Sequence, residues 1–408
     1  MESPSDFLIK QHESPERLIE VLSTVSNLTI RIVHRLSDVP QNRWDALAAP
    51  ESPFLAWDWL TSLEEAECVT AEKGWGPHHI LAERDGQLVG AVPLYLKGHS
   101  EGEFVFDYQF AHAAQNAGIP YYPKLLVAVP FTPATGVRVL TAPKEERGPL
   151  IGAMSQVLRQ VCTQNEFSSV HVNFCTEEEA HGLTEAGYLI RKGMQYQWHN
   201  KGYQTFEDYL SEFRSKRRTK IRRERREMAD QGITIHVRRG DQITPDMAPV
   251  MYQLYRDHVE RLYWGRRYLN LRFFEMAVAR FRHHLCFITA ERKGRVIAGT
   301  FNVQKDGVFY GRYWGAFEEV PFLHFNVCYY AAIEHCIADG VQRFEPGAGG
   351  EFKQLRGFDP QPTHSAHFFA HPGLQEAVAD YLRHEARHMD NTIDHLTQTS
   401  QLKSTRKG

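Results

Sequence analysis

One short segment occurs twice in this sequence, once in each half, and this repeat limits the folds available to the chain. Residues 80–90 read ILAERDGQLVG and residues 288–299 read ITAERKGRVIAG. Each copy places a glycine between two runs of strand-forming residues, which is the pattern of a β-hairpin with a tight turn. A unit that recurs in this way predicts two domains of the same fold in tandem.

The segments around the two hairpins show the same order of periodicities. Apolar residues recur at helical spacing before and after each hairpin, in residues 44–65, 149–162, 249–282 and 325–338. Runs that favour strands are residues 103–110, 124–129, 169–174, 308–314, 343–345 and 366–370. The sequence therefore predicts an α+β fold in which each domain has a mixed, mostly antiparallel sheet flanked by helices.

Length and composition agree with a two-domain globular protein. The chain has 408 residues, of which 42% are hydrophobic and 24% charged, so it can form two cores and is too apolar to be disordered. The formal net charge of -3 excludes polyanion binding through bulk charge, and a phosphate contact would need a local basic surface. The cysteines form no CxxC pair, which favours reduced, buried thiols in a reducing compartment.

Local composition sets the expected domain limits. Residues 1–28 form a polar extension without the apolar stretch of a secretory signal. Domain 1 is expected over residues 29–200, domain 2 over 201–380 with a basic helix at 206–230, and a last helix with a polar tail over 381–408. No apolar run approaches the roughly 20 residues that span a bilayer. We therefore expect a cytoplasmic protein without stable membrane insertion.

Five short strings in the sequence resemble one family of enzymes. They are PLYLKGHS at residues 93–100, YYPKLL at 121–126, AVPFTP at 128–133, RRERR at 222–226 and FEPGA at 344–348. These strings are similar to the FemAB-like N-acyltransferases, and the resemblance extends over residues 35–372. It implies two domains of the GNAT (Gcn5-related N-acetyltransferase) fold. A more distant similarity is to the FemABX enzymes, tandem GNAT proteins that add amino acids from aminoacyl-tRNA to cell-wall precursor peptides in peptidoglycan biosynthesis.

The resemblance also implies an activity and a set of partners. It implies transfer of an acyl or aminoacyl group to an amine, with acyl-CoA or aminoacyl-tRNA as the donor and without a metal. The acceptor would be a small-molecule or lipid-linked amine, such as a cell-wall precursor or another phosphate-bearing compound. Through the donor, tRNA would be a further partner.

One feature of the second half weakens the case for CoA as the donor. Most GNAT enzymes that use acetyl-CoA carry an Arg/Gln-x-x-Gly-x-Gly/Ala loop, whose amides bind the pyrophosphate at a helix N-terminus. Neither half has this loop, and residues 316–321 at the matching place read AFEEVP, which is acidic. The alternative function is therefore a GNAT-fold binding protein without catalytic activity.

Amide formation requires a group that takes a proton from the amine and a donor that stabilises the tetrahedral oxyanion. The first candidates lie at residues 344–358, where a short strand runs into a glycine-rich loop and a basic stretch. By the resemblance, Phe352 and Lys353 match a Phe-Lys pair of the FemABX enzymes whose lysine helps to stabilise the reacting carbonyl. A different register would place Arg356 there. Glu345, or a water that it orients, would take the proton.

The second group of candidates lies on the strand at residues 308–314. Alternation predicts that Tyr310, Arg312 and Trp314 share one face, and that Phe309, Gly311 and Tyr313 share the other. We expect Arg312 to bind an anionic substrate with Trp314, or to pair with Glu345 on the neighbouring strand. Tyr313 is expected to lie near the reacting groups.

The third group is the basic segment at residues 214–226. Helical spacing places Arg217 in line with apolar residues, so that it needs Glu224 or a ligand as its partner. We expect Arg217 and Lys220, with Arg223, to contact a phosphate-bearing substrate. The other interpretation is a solvated helix, in which Glu224 offsets Lys220 and Glu227 offsets Arg223 at i to i+4.

Two further patterns in the sequence have both a functional and a structural interpretation. Glu103, Asp107 and Tyr108, with the string at residues 121–124, could form a substrate site or belong to the core. Residues 384–388 read HEARH, which fits the HExxH pattern of zinc peptidases. Short motifs match by chance, and this one lies in a predicted last helix with an apolar face for docking, so no zinc site is expected.

Overall fold

The computed structural model describes residues 28–262 and 265–402. The expected N-terminal extension, except Leu28, and the end of the polar tail lie outside these residues. The chain divides into two compact units. Unit 1 contains the chain up to Gly193 together with Pro362–Asp390, and unit 2 contains Met194–Gln361 together with the chain from Asn391 onward. Residues 362–390 thus belong with unit 1, although the sequence boundaries placed them in domain 2 and in the terminal segment.

The strands of unit 1 form two sets. The first is an antiparallel sheet in the order β1-β3-β4-β7, with β1 at Thr29–Val33, β3 at His79–Arg84, β4 at Gln87–Val92 and β7 at Leu140–Thr141. The second contains β2 (Trp75–Pro77), β5 (Leu94–Lys97), β6 (Lys124–Val127) and β8 (Ser169–Cys175). Strand β5 runs antiparallel to β2 and β6, whereas β6 and β8 are parallel.

The helices of unit 1 are α1 (Gln41–Ala48), α2 (Trp57–Glu65), α3 (Tyr108–Asn116), α4 (Arg147–Gln164) and α5 (Glu177–Glu185). The last helix, α12 (Pro372–Gln398), lies in unit 1 up to Asp390 and in unit 2 from Asn391. The crossover between the parallel strands β6 and β8 includes α4, because parallel neighbours cannot be joined by a short turn. Leu150, Met154 and Val157 of α4 lie in the core with residues of both sheets.

Unit 2 repeats this order of elements. Strands β10 (Ile233–Arg239), β11 (Leu285–Arg292), β12 (Arg295–Lys305) and β13 (Val308–Ala316) form an antiparallel series. Strand β14 (Arg343–Glu345) is parallel to β13. The crossover consists of α10 (Leu323–Phe325), a π-helical turn at Asn326–Tyr330 and α11 (Ala331–Ala338). The earlier helices are α6 (Phe206–Ser211), α7 (Ser215–Asp230), α8 (Met247–Arg261) and α9 (Leu271–Phe281).

The two repeated segments adopt the same local structure. The turns of the β3–β4 and β11–β12 hairpins have left-handed residues at Asp85 and Gly86 (φ 51° and 75°) and at Lys293 and Gly294 (φ 51° and 73°). Each hairpin also has a register shift at its Ala-Glu step. Both predicted hairpins are therefore present with the same turn and the same register shift, and the α+β fold is confirmed.

Two strands belong partly to each unit. Strand β9 (Leu189–His199) starts in unit 1, and its last residues pair with β14 in unit 2. Strand β15 (Asp359–Phe369) starts in unit 2, and its later residues pair with β8 in unit 1. Unit 1 thus completes its strand set with a segment from a distant part of the chain.

The structure corrects three predicted elements. The strand predicted at residues 103–110 is wrong, because residues 98–107 form a loop with left-handed backbone at Gly102 and Phe104, and α3 starts at Tyr108. The basic helix predicted at 206–230 is two helices, interrupted where Phe213 enters the core. The last helix starts at Pro372 rather than near residue 381.

Candidate functional site

The glycine-rich loop after β14 holds a lysine that is almost fully buried. Lys353 lies in a 3₁₀ turn, Glu351–Arg356, and is 3% exposed. Its ammonium group donates to the carbonyl oxygens of Gly347 at 2.6 Å and Ala348 at 3.1 Å. Gly347 has a left-handed φ of 81°, a conformation that favours glycine and turns its carbonyl toward the lysine.

Burial changes the acid–base behaviour of this lysine. Desolvation lowers the pKa of Lys353 to about 8. A buried cation bound only by carbonyl oxygens still has charge to offer an incoming oxyanion. The adjacent Phe352 is 56% exposed, with its ring 5.7 Å from that of Phe325. The two residues matched by resemblance therefore differ in exposure, since Lys353 is buried and Phe352 lies at the surface.

Arg356, at the end of the same turn, forms an internal ion pair. Its Nη2 lies 3.2 Å from the Glu224 carboxylate, and both side chains are 2% exposed. The Tyr330 hydroxyl donates to the same carboxylate, and the Arg356 guanidinium stacks 3.4 Å from the centroid of the Phe325 ring. This pairing joins the turn to α7 and favours Lys353 over Arg356 as the cation that faces a substrate.

Arg217 on α7 is buried beside this turn, as its spacing in the sequence predicts. Its Nε donates to the Leu355 carbonyl at 2.7 Å, and its Nη2 has no hydrogen-bond partner among the residues described. The expected pairing with Glu224 is not the one observed, because Arg356 takes that carboxylate. Burial lowers the pKa of Arg217.

The other cations of α7 do not form the ion pairs that the solvated-helix interpretation predicts. Lys220 and Arg223 are exposed, and in the described chain neither forms the predicted i to i+4 ion pair. Glu224 points inward, and Glu227 accepts a hydrogen bond from Gln231. Arg225 stacks on Phe206 and pairs with Glu334 at 2.6 Å.

A β-bulge changes the faces predicted for β13. Phe301 lies opposite Tyr313 and Asn302 opposite Gly311, which leaves Arg312 as the extra residue. Because a bulge inserts one residue, the alternation of side chains is interrupted at this point. The predicted grouping of Trp314 with Tyr310, and of Tyr313 with Phe309, is therefore wrong.

The ring contacts on either side of the bulge show the actual faces. Tyr313 packs against Tyr255 of α8 and Phe274 of α9, with ring centroids 5.0 Å and 6.2 Å away. Trp314 lies on the opposite face, 5.1 Å from His324, in the same core cluster as Phe309. The Arg312 guanidinium lies 5.4 Å from the Tyr313 ring.

Glu345 ends β14 and is 5% exposed. Its carboxylate lies 3.0 Å from Nε of Arg343 on the same strand, and its cross-strand neighbour is Tyr310. The carboxylate therefore sits at the start of the glycine-rich loop that carries Lys353. This position fits the role expected from the sequence and does not test it.

A groove of about 490 Å³ lies at the start of α10, and the sequence did not predict it. It is lined by His258 and Arg261 of α8, by Trp314 and by His324, among others. Burial and then the charges of Arg356, His258 and Lys353 lower the pKa of His324 to about 4, so the imidazole is neutral. The acidic loop lines the same groove, where Glu318 pairs with Arg292 at 2.5 Å.

His324 had no sequence signal of its own. It follows Phe322, which has a left-handed φ of 65°, and precedes the π-helical turn Asn326–Tyr330. π-Helical turns are often found at functional sites. Neither feature can be recognised in a single sequence, since both depend on how the helix packs.

The two weaker candidates have separate surroundings in unit 1. Glu103 and Asp107 are buried, whereas Tyr108 is 57% exposed. In the HExxH segment, Glu385 forms a two-point ion pair with Arg191 at 2.7 and 2.8 Å and accepts from Tyr381. Within the described residues no group of three His, Cys, Asp or Glu side chains is arranged to hold a metal ion.

Comparison with known families supplies the context for this site. The sequence model of one family, described as peptidoglycan biosynthesis/recognition, matches residues 35–404. This chain belongs to the FemAB-like family. No curated protein sequence matches it.

Solved structures of FemAB-related and other proteins share the fold. FemX superposes with a TM-score of 0.52 and 11% identity, covering 86% of this chain and 100% of FemX. The C-terminal domain of a protein named as a lysylphosphatidylglycerol synthetase, from Agrobacterium fabrum, has a TM-score of 0.51 and 12% identity over 83% of this chain and 95% of its own. The fold is therefore the predicted tandem GNAT fold. No described helix is both long and apolar enough to cross a membrane.

Proposed function

We propose that this FemAB-like protein is an N-acyltransferase and that acyl transfer takes place in unit 2, at the loop that carries Lys353. The observation that carries the proposal is the buried Lys353 ammonium, held by two carbonyl oxygens and lowered in pKa. Such a preorganised cation is worth most where negative charge develops in a dry site. Family membership supports acyl or aminoacyl transfer as the class of reaction.

The roles of the other residues follow from their positions. The amine nitrogen of the acceptor attacks the carbonyl carbon of the donor, and the carbonyl oxygen becomes an oxyanion beside Lys353. Glu345, or a water that it orients, takes the proton from the amine, and the leaving group departs as the amide forms. Tyr313 and Arg312 would line the approach on one face of β13. Trp314, on the other face, would contact substrate in the groove with His324, and Phe352 would contact substrate at the surface.

The charge around the turn supports a phosphate-bearing substrate. Arg217 and Arg356 lie near the single carboxylate of Glu224, which Arg356 already engages. An Arg217 guanidinium with a buried, unbonded Nη2 is suited to a phosphate or carboxylate oxygen. The acceptor would be a small or lipid-linked amine resembling a cell-wall precursor, met in the cytoplasm, and the donor acyl-CoA or aminoacyl-tRNA.

One observation favours the alternative of a binding protein without catalysis. Glu318 and Glu319 line the groove at the start of α10, where a pyrophosphate-bearing donor would meet negative charge. A binding protein would retain affinity for the amine compound and show no transfer with any donor. Mass spectrometry of compounds that copurify with the protein would identify a donor or an acceptor for the assay.

Lys353→Ala is the decisive variant. Its turnover is measured once a donor and an acceptor that support acyl transfer are known. We expect turnover to fall by roughly 10²–10³, the effect of removing one oxyanion donor. Turnover of the wild type should also decline above about pH 8, where Lys353 loses its proton. Lys293→Ala, at the exposed turn of a hairpin, is the control and should be unchanged. Full activity of Lys353→Ala would overturn the assignment.

A further inference from the structure

Unit 1 contains a network of buried charges that the proposed reaction does not use. It ties the loop at residues 98–107, here called the cover loop, to β6. The Lys124 ammonium donates to Ser100 Oγ at 3.0 Å, to Glu103 Oε2 at 2.9 Å and to the Asp107 carboxylate. All three acceptors lie on the cover loop, so a single lysine holds it at three points.

A second lysine approaches the same network from β5. Lys97 Nζ lies 4.0 Å from Glu103 Oε1 and 3.7 Å from the centroid of the Trp75 ring. Both lysines and both carboxylates are at most 4% exposed. Among the described residues, Glu103 Oε1 and Asp107 Oδ1 have no hydrogen-bond partner. Buried ion networks contribute little net stability, because the cost of desolvation offsets the attraction between the charges. Stability alone therefore does not explain why these charges are buried, and a functional role does.

Two tyrosines also form hydrogen bonds to the residues of this network. The Tyr121 hydroxyl donates to Asp107 at 2.6 Å and lies 3.4 Å from Nε2 of His171 on β8. The Tyr122 hydroxyl shares a hydrogen bond with Ser100. The titratable groups that face Glu103 are thus the two lysines, Asp107 and these two tyrosines.

The two carboxylates respond in opposite ways to the same environment. Burial raises the pKa of Glu103 to about 7, although Lys124 opposes the shift. Burial acts in the same direction on Asp107, but Lys124 and His171 outweigh it, and its pKa lies below the usual range. Lys124 stays charged, with a pKa raised to about 12 by Glu103 and Asp107 against the effect of burial. Of these three groups, the carboxyl of Glu103 is therefore the one that changes its charge near neutral pH.

We propose that the cover loop is a pH-sensitive latch over the polar interior of unit 1, closed on Lys124 and controlled by the protonation of Glu103. The closed form requires glycine at position 102, because the backbone there is left-handed and an added Cβ would lie 2.7 Å from the Phe131 ring. Opening would bring the carboxyl of Glu103 into water, together with the unbonded oxygen of Asp107.

The direction of the pH effect follows from linkage. With the loop closed, Glu103 has a pKa of about 7, against its ordinary value of 4.5 in water. The closed form therefore binds a proton more tightly, so acid favours closure, and this contribution is lost as the pH rises through 7. A shift of this size changes the ratio of closed to open loop by roughly two orders of magnitude. Burial also lowers the pKa of Lys97, which acts in the opposite direction, because the closed loop then favours the neutral amine.

Hydrogen exchange of the peptide covering residues 98–107 tests the latch. After correction for the intrinsic pH dependence of exchange, protection should fall between pH 5 and pH 7.5 in the wild type. Glu103→Gln should exchange with the same protection at both pH values, since glutamine does not titrate. Glu101→Gln, on the same loop but half-exposed, should behave like the wild type.

Two outcomes would overturn the proposal. One is a wild-type peptide whose corrected protection is the same at both pH values, a result that needs no variant to fold. The other is a Glu103→Gln protein that keeps the wild-type pH dependence, which would assign the effect to another group.

Discussion

At the scale of single residues, two buried cations of the same turn differ in their partners. Arg356 is paired with the carboxylate of Glu224, whereas Lys353 donates to carbonyl oxygens. Arg356 and Glu224 face each other at 3.2 Å with almost no exposure. Removing one member of a buried pair leaves an unpaired buried charge, at a cost of about 3–5 kcal/mol. We expect Arg356→Met and Glu224→Gln each to lower the free energy of unfolding by an amount in this range.

A double-mutant cycle checks this interpretation. The variant with both substitutions should lose clearly less stability than the sum of the two single changes, because it contains no orphaned charge. Denaturant unfolding of the four proteins measures the coupling. If the two losses of stability were strictly additive, the two side chains would not stabilise each other. Arg356 would then be available to bind a substrate.

Single residues could be singled out from the sequence only where a motif or a spacing pointed to them. Lys353 became a candidate through the resemblance, and the burial of Arg217 followed from its helical spacing. The partner of Arg217 could not be predicted, because Glu224 is within reach of one arginine on its own helix and of another more than a hundred residues away. Competition between partners is decided by tertiary packing, which no local pattern contains.

At the scale of elements, the repeated hairpins were predictable because their signal is local. A turn glycine between two strand-forming runs specifies a hairpin with few alternatives. By contrast, residues 103–110 alternate like a strand and form a loop and a helix. Their charged residues, Glu103 and Asp107, are turned inward to Lys124, and this contact overrides the strand preference.

The equivalence of the hairpins gives a matched pair of mutations. Gly86→Ala and Gly294→Ala place a side chain on left-handed backbone with no atom within 4 Å of the new Cβ. The cost is therefore that of the backbone alone, about 1–2 kcal/mol, and should be similar in both units. Denaturant unfolding measures it.

Gly148 in α4 serves as the control for these two changes. Its Cβ would also meet nothing within 4 Å, and its φ is not left-handed. Gly148→Ala should therefore be neutral or stabilising by about 0.4–1 kcal/mol. Equal losses at all three glycines would show that the turn conformation is not the cause.

At the scale of the whole molecule, two features were out of reach of the sequence. Strands β9 and β15 each pass from one unit to the other, so the chain cannot be cut once into two domains. A single boundary near residue 200 is the simplest interpretation of a repeat, because pairing between distant strands leaves no local mark. The groove with His324 depends likewise on segments brought together by folding.

The chain has a small negative net charge and a local group of exposed cations on α7, so phosphate recognition can be tested at that group. The net charge of -3 gives little general attraction for nucleic acid, so binding would depend on a local surface. Lys216, Lys220 and Arg223 lie exposed along α7, in a stripe to one side of the buried Arg217. We propose that this stripe contacts the phosphates of a tRNA-linked donor.

Replacing the three residues of the stripe with Gln should weaken binding to tRNA and lower its dependence on salt. Each lost phosphate contact removes about 0.9 from the slope of log affinity against log salt, so the slope should fall by up to roughly 3. The melting temperature should barely change, because exposed charges add little stability. The control removes the same charge elsewhere, with Lys201, Lys293 and Arg295, all exposed on unit 2, changed to Gln. Since both triple variants carry the same net charge, an equal fall in slope would indicate nonspecific attraction, whereas a fall confined to the stripe would locate the phosphate contacts on α7.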